Sequence, residues 1–263
     1  MLWLVVAYLG SLVVMFTAAF WRVDSFTGAL IRVPTDDNFR ALVEQSVYRR
    51  VALRSLGVAA VVTVVDALLA LPMAVYMAKV ASPRLRNLLV AAVLTPLWAS
   101  YLVKGYAWRT MLSGDGVLNW ALEPLGLKGP GFGLPATTLT LAYLWLPFMV
   151  LPIYAGLDRI PDSLLEAAGD LGATAGRTFR TVVLPLVFPA LVAGSIFTFS
   201  LSLGDYIMVK IVGGRSQLFA NIIYDNIGVA NNLPFAAAAA FFPVVVIVLY
   251  LTLVRRTGAL DNL

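Results

Sequence analysis

Long apolar stretches alternate with short polar breaks along the chain, and this pattern predicts helices that cross a membrane. A helix needs about 20 mostly apolar residues to span roughly 30 Å of hydrocarbon, and six runs approach or reach that length. None of them alternates between apolar and polar residues as the strands of a membrane barrel do, whereas a helix satisfies its backbone hydrogen bonds within hydrocarbon. The predicted spans are Leu2–Trp21, Val51–Met77, Leu88–Trp108, Leu134–Leu157, Leu186–Val209 and Phe235–Val254.

Composition supports an all-α, polytopic membrane protein with about six transmembrane helices and one transmembrane domain over residues 1–263. Hydrophobic residues make up 60% of the chain and charged residues only 13%, and the mean hydropathy is +0.88, far from the values of soluble domains. The net charge of +5 raises the alternative of nucleic-acid binding. Because the basic residues are scattered and cluster at span ends, contact with lipid headgroups explains them better, and we expect no nucleic-acid partner.

The first run has an alternative interpretation as a cleaved signal peptide. Ala18 and Ala19 provide small residues near its end, as a cleavage site requires. No basic residue precedes the apolar stretch, however, and signal peptides carry one there. A transmembrane helix is therefore the favoured interpretation.

Basic residues in the loops give a prediction of orientation. Lys79, Arg84 and Arg86 form a short loop without an acidic residue, which favours the cytoplasmic side. With six spans both termini then lie on that side, in agreement with Arg255 and Arg256. The first loop weakens the argument, because it holds five arginines beside four acidic residues.

Two absences exclude several kinds of chemistry. The chain contains no cysteine and no histidine, so it offers no thiol nucleophile, thiolate metal site or imidazole base. It also lacks a glycine-rich phosphate loop that ends in Gly-Lys-Ser or Gly-Lys-Thr. We therefore expect no catalytic residue, metal site or bound cofactor, and any ATP and Mg²⁺ would be held by a partner subunit.

A polar segment between the fourth and fifth runs predicts a helix, a turn and a second helix. Pro161 suits the first turn of a helix, and Ser163 stands three residues before Glu166, the spacing of a capping box. Gly172 then permits a sharp turn. Thr174 is positioned to cap a second helix, which we expect to end at Pro185.

Such a protrusion bears five charged side chains and is suited to docking into a groove on a partner. They are Asp162, Glu166, Asp170, Arg177 and Arg180. The alternative is a solvated connector in which Glu166 only caps a helix.

The same segment resembles the signature loop of permease subunits in binding-protein-dependent ABC importers. The resemblance rests on Glu166-Ala167-Ala168, on Gly172 after three further residues, and on Val183-Leu184-Pro185. It implies the type I importer permease fold, a bacterial inner membrane, two copies of an ATP-binding subunit, a second homologous permease and an extracytoplasmic binding protein. It also implies that a coupling loop at about 158–186 contacts the ATPase through Glu166, Ala167, Ala168, Asp170, Gly172, Leu184 and Pro185.

Two further stretches resemble the spermidine/putrescine permeases of that family. One lies within Leu94–Leu118 and includes Thr95-Pro96-Leu97-Trp98, Ser100, Leu102, Tyr106-Ala107-Trp108 and Gly116. The other consists of Leu203-Gly204-Asp205-Tyr206 with Gly213-Gly214. This resemblance implies uptake of polyamines.

Polyamines are extended polycations, so carboxylates and aromatic faces are the groups expected along their route. Asp66 and Asp205 lie in predicted spans, where an ionised carboxylate costs at least about 2.5 to 3.5 kcal/mol and normally serves a function or pairs with a cation. Asp66 has the alternative of pairing with a cation on a neighbouring span or on the second permease. Asp205 has a structural alternative too, although Tyr206 beside it supplies a ring and a hydroxyl.

Aromatic residues of the third run extend this candidate path. Trp98 and Tyr101 are three residues apart, which in a continuous helix places them on one face. Tyr106 and Trp108 are nearer the end of the run, where Tyr and Trp collect at membrane interfaces. The predicted substrate-path residues are Asp205, Tyr206, Asp66, Trp98 and Tyr101.

Basic and polar residues on the outer side leave other cargoes and contacts open. Lys104 and Arg109 would repel a polycation, which favours either a contact with the binding protein or another solute such as iron, sulfate, thiamine or a phosphonate. The polar residues of the outer fifth loop either meet the binding protein or are simply solvated; they are Gln217, Asn221, Tyr224, Asp225 and Asn226. A stand-alone secondary transporter is a further alternative, but it gives the Glu166 loop no role.

Overall fold

The computed structural model describes residues 2–24 and 27–255, and within them the fold is all-α apart from one two-residue antiparallel strand pair. The helices are α1 Leu2–Ala18, α2 Asp37–Glu44, α3 Ser46–Val75, α4 Pro83–Trp98, α5 Tyr101–Leu112, α6 Val117–Leu122, α7 Leu134–Asp158, α8 Asp162–Asp170, α9 Ala175–Thr178, α10 Leu184–Gly204, α11 Ile207–Val212, α12 Phe219–Gly228 and α13 Leu233–Arg255. Strands β1 (Arg22–Val23) and β2 (Leu30–Ile31) pair with each other. Tyr76–Val80 and Phe179–Val183 are π-helical, and Glu123–Leu125 is a 3₁₀ turn. Arg256, one of the residues used for orientation, lies outside the described residues.

Four continuous helical segments of the described chain are long and apolar enough to cross a membrane. They are Ser46–Val80, Leu134–Asp158, Ala175–Gly204 and Leu233–Arg255. The bent pair of α4 and α5 makes a fifth crossing if the two helices act as one span. Helix α1 has 17 apolar-rich residues and lies at the lower limit of length for a crossing.

Helices α3, α7 and α10 form the centre of the molecule, where they pack against one another more extensively than any other helices. Glycines bring α7 and α10 close together: a Cβ atom at Gly156 would lie 2.6 Å from the Cβ of Ala190, and one at Gly194 would lie 2.8 Å from the sulfur of Met149. Small residues at such crossings let two backbones approach within a membrane. A run of buried alanines, 236–239, does the same for α13.

The third predicted span is bent rather than continuous. Helix α4 ends at Trp98, Ala99 and Ser100 have extended backbones, and α5 begins at Tyr101 at an angle of 97° to α4. Pro96 has no amide hydrogen for the carbonyl of the preceding turn, which weakens the last turn of α4. The prediction that Trp98 and Tyr101 share one helical face was therefore wrong.

The fifth predicted span also contains a break, at its outer end. Helix α10 ends at Gly204, the backbone of Asp205 is extended (φ −79°, ψ 122°), and α11 starts at Ile207. Asp205 thus lies between two helices and not within one, contrary to the span predicted to run to Val209. The two breaks place the N-terminus of α5 beside the start of α11, where the candidate site lies.

Candidate functional site

The segment after α7 folds as the predicted helix, turn and helix. Helix α8 ends in a Schellman motif, in which the amides of Gly172 and Ala173 donate to the carbonyls of Gly169 and Ala168 at 2.8 and 3.0 Å. Gly172 has a φ of +77°, a conformation that side chains disfavour. The glycine of the signature therefore sets the angle between α8 and α9.

The capping details of this segment differ from the prediction. Pro161 is the N-cap of α8 and not its first residue, so Ser163 falls inside the first turn and no capping box forms. Thr174 occupies the N-cap position of α9, but its side chain makes no capping hydrogen bond. Neither Ser163 nor Glu166 is engaged in holding the helix end, which leaves Glu166 exposed.

Pro185 does not end the second helix, contrary to expectation. The chain is helical from Ala175 to Gly204, and the π-helical turn Phe179–Val183 immediately precedes Leu184-Pro185. A wider turn accommodates the missing amide hydrogen and the ring of a proline. The segment that starts with α9 consequently continues into α10 as one unbroken helix.

Two basic residues fasten the loop to the end of the second span. The Lys79 ammonium donates to the carbonyl of Ile160 at 2.6 Å and to the carboxylate of Asp162 at 2.8 Å. Arg86 pairs with Asp158 at 3.3 Å and also donates to two carbonyls at the end of the α3 segment. The ammonium of Lys79 lowers the pKa of Asp162. These residues, predicted only as indicators of orientation, therefore hold the loop in place.

The solvent-exposed face of α8 has no partner within the described chain. Glu166, Ala167 and Asp170 are exposed, and Leu171 just after them has 89% of its surface exposed. Leu165 and Phe179 face the other way and pack on a buried apolar cluster. The protrusion thus presents an acidic face with an apolar tip, a composition suited to a protein partner.

A second group of predicted residues converges where the third and fifth spans break. The hydroxyl of Tyr101 donates to one carboxylate oxygen of Asp205, and the backbone amide of Met208 donates to the other at 2.9 Å. Asp205 is only 6% exposed. Its carboxylate therefore joins α5 to the start of α11, and both oxygens have a donor.

A cavity of about 270 Å³ opens beside this carboxylate. Tyr101, Trp145, Asp205 and Tyr206 line it together with residues at the end of α10. The rings of Trp145 and Tyr101 are stacked at 6.0 Å. Sequence reasoning missed Trp145; the available signal was an indole inside a predicted span. The cavity offers a carboxylate and aromatic faces together, which is what an organic ammonium group binds.

Comparison with known families identifies the kind of protein. A family model described as the binding-protein-dependent transport system inner membrane component matches residues 51–257, which include both the loop and the Asp205 cavity. The chain belongs to this family. It is a multi-pass permease subunit of an ABC importer of the inner membrane, and not itself an enzyme.

Several curated permeases resemble this permease over nearly its whole length. It is 43% identical to the inner membrane ABC transporter permease protein YdcU of Escherichia coli (strain K12), over 100% of this chain and 88% of that protein. It is 32% identical to the spermidine/putrescine transport system permease protein PotB of Salmonella typhimurium (strain LT2), over 99% of this chain and 91% of that protein.

Solved structures share the fold at low sequence identity. A chain of a bacterial ABC transporter that imports the acidic polysaccharide alginate matches with a TM-score of 0.76 at 18% identity, over 97% of this chain and 92% of that one. A chain of the MetNI methionine ABC transporter in an inward-facing conformation matches with a TM-score of 0.63 at 20% identity, over 79% of this chain and 93% of that one. The permease therefore has the type I importer fold.

Two of the five predicted path residues lie apart from the Asp205 cavity of the permease. Trp98 ends α4 with 88% of its surface exposed. Asp66 is completely buried in α3, and neither of its carboxylate oxygens has a hydrogen-bond partner among the described residues. The predicted pairing of Asp66 with a cation is absent from the described residues, and burial within this chain also keeps a second permease from reaching it.

The basic residues predicted at the outer end of the third span have partners within the permease. Lys104 lies 6.0 Å from the centroid of the Tyr101 ring. Arg109 donates to the carbonyl of Ile211 at 2.8 Å and lies over the ring of Phe132 at 5.4 Å. Lys104 therefore lies beside the tyrosine that lines the Asp205 cavity, whereas Arg109 ties α5 to α11.

The two aromatic residues assigned to a membrane interface have different surroundings. Tyr106 is 59% exposed, which fits an interfacial position. Trp108 is partly buried against an apolar cluster that includes Leu112 and Leu141, and it packs on Tyr143 with ring centroids 5.3 Å apart. Trp108 therefore belongs to the packing of the permease.

Most of the outer fifth loop is helical. Residues 219–228 form α12, and Asn221 is buried, where its amide donates to the carbonyl of Tyr206 at 3.0 Å. A contact of Asn221 with the binding protein is excluded by that burial. Gln217 is exposed, and Asn226 donates to the carbonyl of Ile222 at 2.9 Å.

Proposed function

We propose that this permease carries polyamines such as spermidine and putrescine into the cell. It would receive them from an extracytoplasmic binding protein and work beside a second homologous permease and two copies of an ATP-binding subunit. ATP and Mg²⁺ would be held by those ATP-binding subunits. Both termini of the permease would lie on the cytoplasmic side of a bacterial inner membrane.

The observation that carries the proposal is the carboxylate of Asp205 at the junction of two broken spans. A carboxylate that is buried from solvent is costly unless it has a binding partner, so a buried carboxylate beside a cavity is suited to bind a cation. Tyr101 and Trp145 place ring faces beside it, and a desolvated ammonium gains up to about 2 kcal/mol from such a face. The name of the PotB relatives agrees with this cargo.

Coupling to ATP hydrolysis would run through the exposed face of α8. Glu166, Ala167, Ala168 and Asp170 would contact the ATP-binding subunit, and Gly172 would hold the angle to the second helix. Leu184-Pro185 would carry the movement into α10 through the π-helical turn. Closure of the ATP-binding subunits would then open the permease pair toward the binding protein, an alternating access imposed by partners.

The test is uptake of radiolabelled spermidine into proteoliposomes that contain the complete complex, with binding protein outside and ATP inside. Asp205→Asn is the informative variant, because the amide oxygen can still accept from the Met208 amide and preserve the start of α11. Asp115→Asn, in an exposed outer loop, is the matched control. We expect Asp205→Asn to lose most uptake while ATP hydrolysis still responds to binding protein.

Three contrary outcomes are distinct. Wild-type complex that hydrolyses ATP but accumulates no polyamine would refute the cargo. Uptake that survives in Asp205→Asn would show that the substrate path does not require this carboxylate. Uptake by this chain without an ATP-binding subunit would instead indicate a stand-alone secondary transporter.

A different small solute is the second candidate, and one observation favours it. The ammonium of Lys104 lies over the same Tyr101 ring that borders the Asp205 cavity, and a fixed cation there repels a polycation. Thiamine, ferric iron and a phosphonate therefore serve as competitors in the same assay. Inhibition by one of them, with no inhibition by putrescine, would favour this candidate.

A further inference from the structure

The side chain of Lys210, on α11, makes the contacts expected of a bound organic cation. Its ammonium lies 4.3 Å from the centroid of the Tyr224 ring and 2.5 Å from a carboxylate oxygen of Asp225. The Tyr224 ring is stacked on that of Tyr206, with centroids 4.5 Å apart and an angle of 21°. One carboxylate and the face of one ring therefore contact the ammonium group, and the second ring packs on the first.

This arrangement adjoins the Asp205 cavity. A second cavity, of about 300 Å³, lies between the end of α10, α12 and α13 and is lined in part by Tyr206 and Tyr224. Gly204 and Tyr206 line both this cavity and the one beside Asp205. The Tyr206 ring thus connects the surroundings of Lys210 to the buried carboxylate.

The ion pair of Lys210 with Asp225 is open to solvent. The two side chains retain 41% and 33% of their exposure, and Tyr224 retains 41%. Exposed ion pairs contribute little to stability and are screened by dissolved ions. A soluble ammonium group can therefore compete with the lysine for the same carboxylate and ring.

We propose that Tyr224 and Asp225, with Tyr206 packed on the Tyr224 ring, form an outer ammonium-binding site, and that the Lys210 ammonium is a tethered occupant which the substrate displaces before it reaches Asp205. This inference rests on the proposed function, because it requires a substrate that carries ammonium groups. The displaced lysine then repels the bound ammonium, which limits the affinity of the outer site and favours onward movement.

The surroundings of Asp205 repeat the same three kinds of group. There the ammonium of Lys104 lies over the Tyr101 ring, and the Tyr101 hydroxyl binds the Asp205 carboxylate. Lysine, tyrosine and aspartate side chains therefore occur together twice, once at the solvent-exposed Lys210 site and once beside the buried Asp205.

The first test is the concentration dependence of spermidine uptake by the complete complex in proteoliposomes, with spermidine-loaded binding protein as the varied component. Lys210→Met keeps the length of the side chain and removes the charge, while Lys210→Arg keeps the charge. We expect Lys210→Met to lower the apparent KM by about threefold to tenfold, as loss of one competing exposed ion pair allows. Lys210→Arg keeps a competing cation and should not lower the KM. Lys128→Met in the exposed outer loop should stay near wild type.

A second measurement uses the wild-type complex and does not depend on the folding of a variant. Amine-reactive labelling followed by mass spectrometry reports the accessibility of Lys210. Spermidine itself consumes part of the reagent, so labelling of the exposed Lys128 serves as the internal reference. Saturating spermidine should raise the ratio of Lys210 to Lys128 labelling, because displacement frees the lysine. Sodium chloride at equal ionic strength is the control.

The outcomes separate this inference from the proposed function. If the wild-type complex takes up no polyamine, both the proposed cargo and the tethered-lysine site are refuted. Wild-type uptake with an unchanged or higher KM in Lys210→Met, or with Lys210 labelling unaffected by spermidine, overturns the tethered-lysine site and leaves the proposed cargo standing. In that case the Lys210–Asp225 pair only ties α11 to α12.

Discussion

The hydroxyl of Tyr101 donates a hydrogen bond to the carboxylate of Asp205, across 104 residues of sequence. Tyr101 is the first residue of α5, just after the bend of the third span, and Asp205 lies in the gap before α11. Two helix breaks therefore meet at one buried carboxylate. Irregular backbone at membrane depth is tolerated where it is enclosed by protein or lines a cavity, and here it does both.

Replacement of Tyr101 by Phe tests this contact. The ring and its stacking on Trp145 remain, but one oxygen of Asp205 loses its donor, a loss of about 1 to 3 kcal/mol for a buried polar group. We expect a lower thermal midpoint of the purified complex and a roughly tenfold or greater loss of spermidine uptake. Tyr106→Phe, at an exposed position of the same helix, should behave like wild type in both assays.

Asp66→Leu should stabilise the permease. The carboxylate is completely buried without a hydrogen-bond partner among the described residues, and removal of such a group recovers about 1 to 3 kcal/mol of desolvation cost. We therefore expect a higher thermal midpoint. If uptake is lost at the same time, Asp66 has a transport role outside the Asp205 cavity; a lower midpoint would mean that the carboxylate has a stabilising partner.

Leu171→Asn tests the exposed tip of the coupling loop. This side chain is 89% exposed, so its replacement removes no packing within the chain and should leave the thermal midpoint of the permease pair unchanged. We expect less ATP-binding subunit to co-purify and less ATP hydrolysis in response to binding protein. Val229→Asn is the matched control, because Val229 is 79% exposed at the end of α12. Equal effects of the two substitutions would contradict a docking role for the tip.

The Lys79–Asp162 pair should make the stability of the loop depend on pH. Lys79 lowers the pKa of Asp162, so the pair stabilises the folded protein at pH values above about 3.9, the ordinary pKa of aspartate. That contribution is lost as the pH falls through the lower pKa of the folded state. We expect Asp162→Asn to lower the thermal midpoint slightly at pH 7, and the difference from wild type to shrink as the pH falls below about 3.9. The effect is small because Asp162 is exposed.

Glu123→Gln is the control for this pH series, since Glu123 lies in an exposed outer turn. Its difference from wild type should be negligible across the whole range. A difference between Asp162→Asn and wild type that persisted at low pH would mean that the aspartate acts through something other than its charge.

The sequence by itself determined the class of the protein and the approximate positions of its apolar helices. Burial in lipid depends on the apolar content of each local stretch, so the apolar runs located the helices, although the third run is bent at residues 99–100 and the helix of the fifth ends at Gly204. The turn at Gly172 was equally local, because a positive φ is a property of one residue. The effect of Pro185 was misjudged because the π-helical segment 179–183 accommodates it within a continuous helix. The capping box was misjudged because Pro161 is the N-cap of α8, which places Ser163 inside the first turn.

Only the tertiary structure decided which polar residues meet. Asp66 and Asp205 look alike as single acids within apolar runs. Asp66 is enclosed without a hydrogen-bond partner among the described residues, whereas Asp205 joins two helix breaks. The 97° bend after Trp98 separated it from Tyr101, which the spacing had placed on one face. Contacts of this kind depend on how distant helices pack, and helix packing in a membrane follows small residues and interhelical hydrogen bonds rather than the apolar periodicity of any one segment.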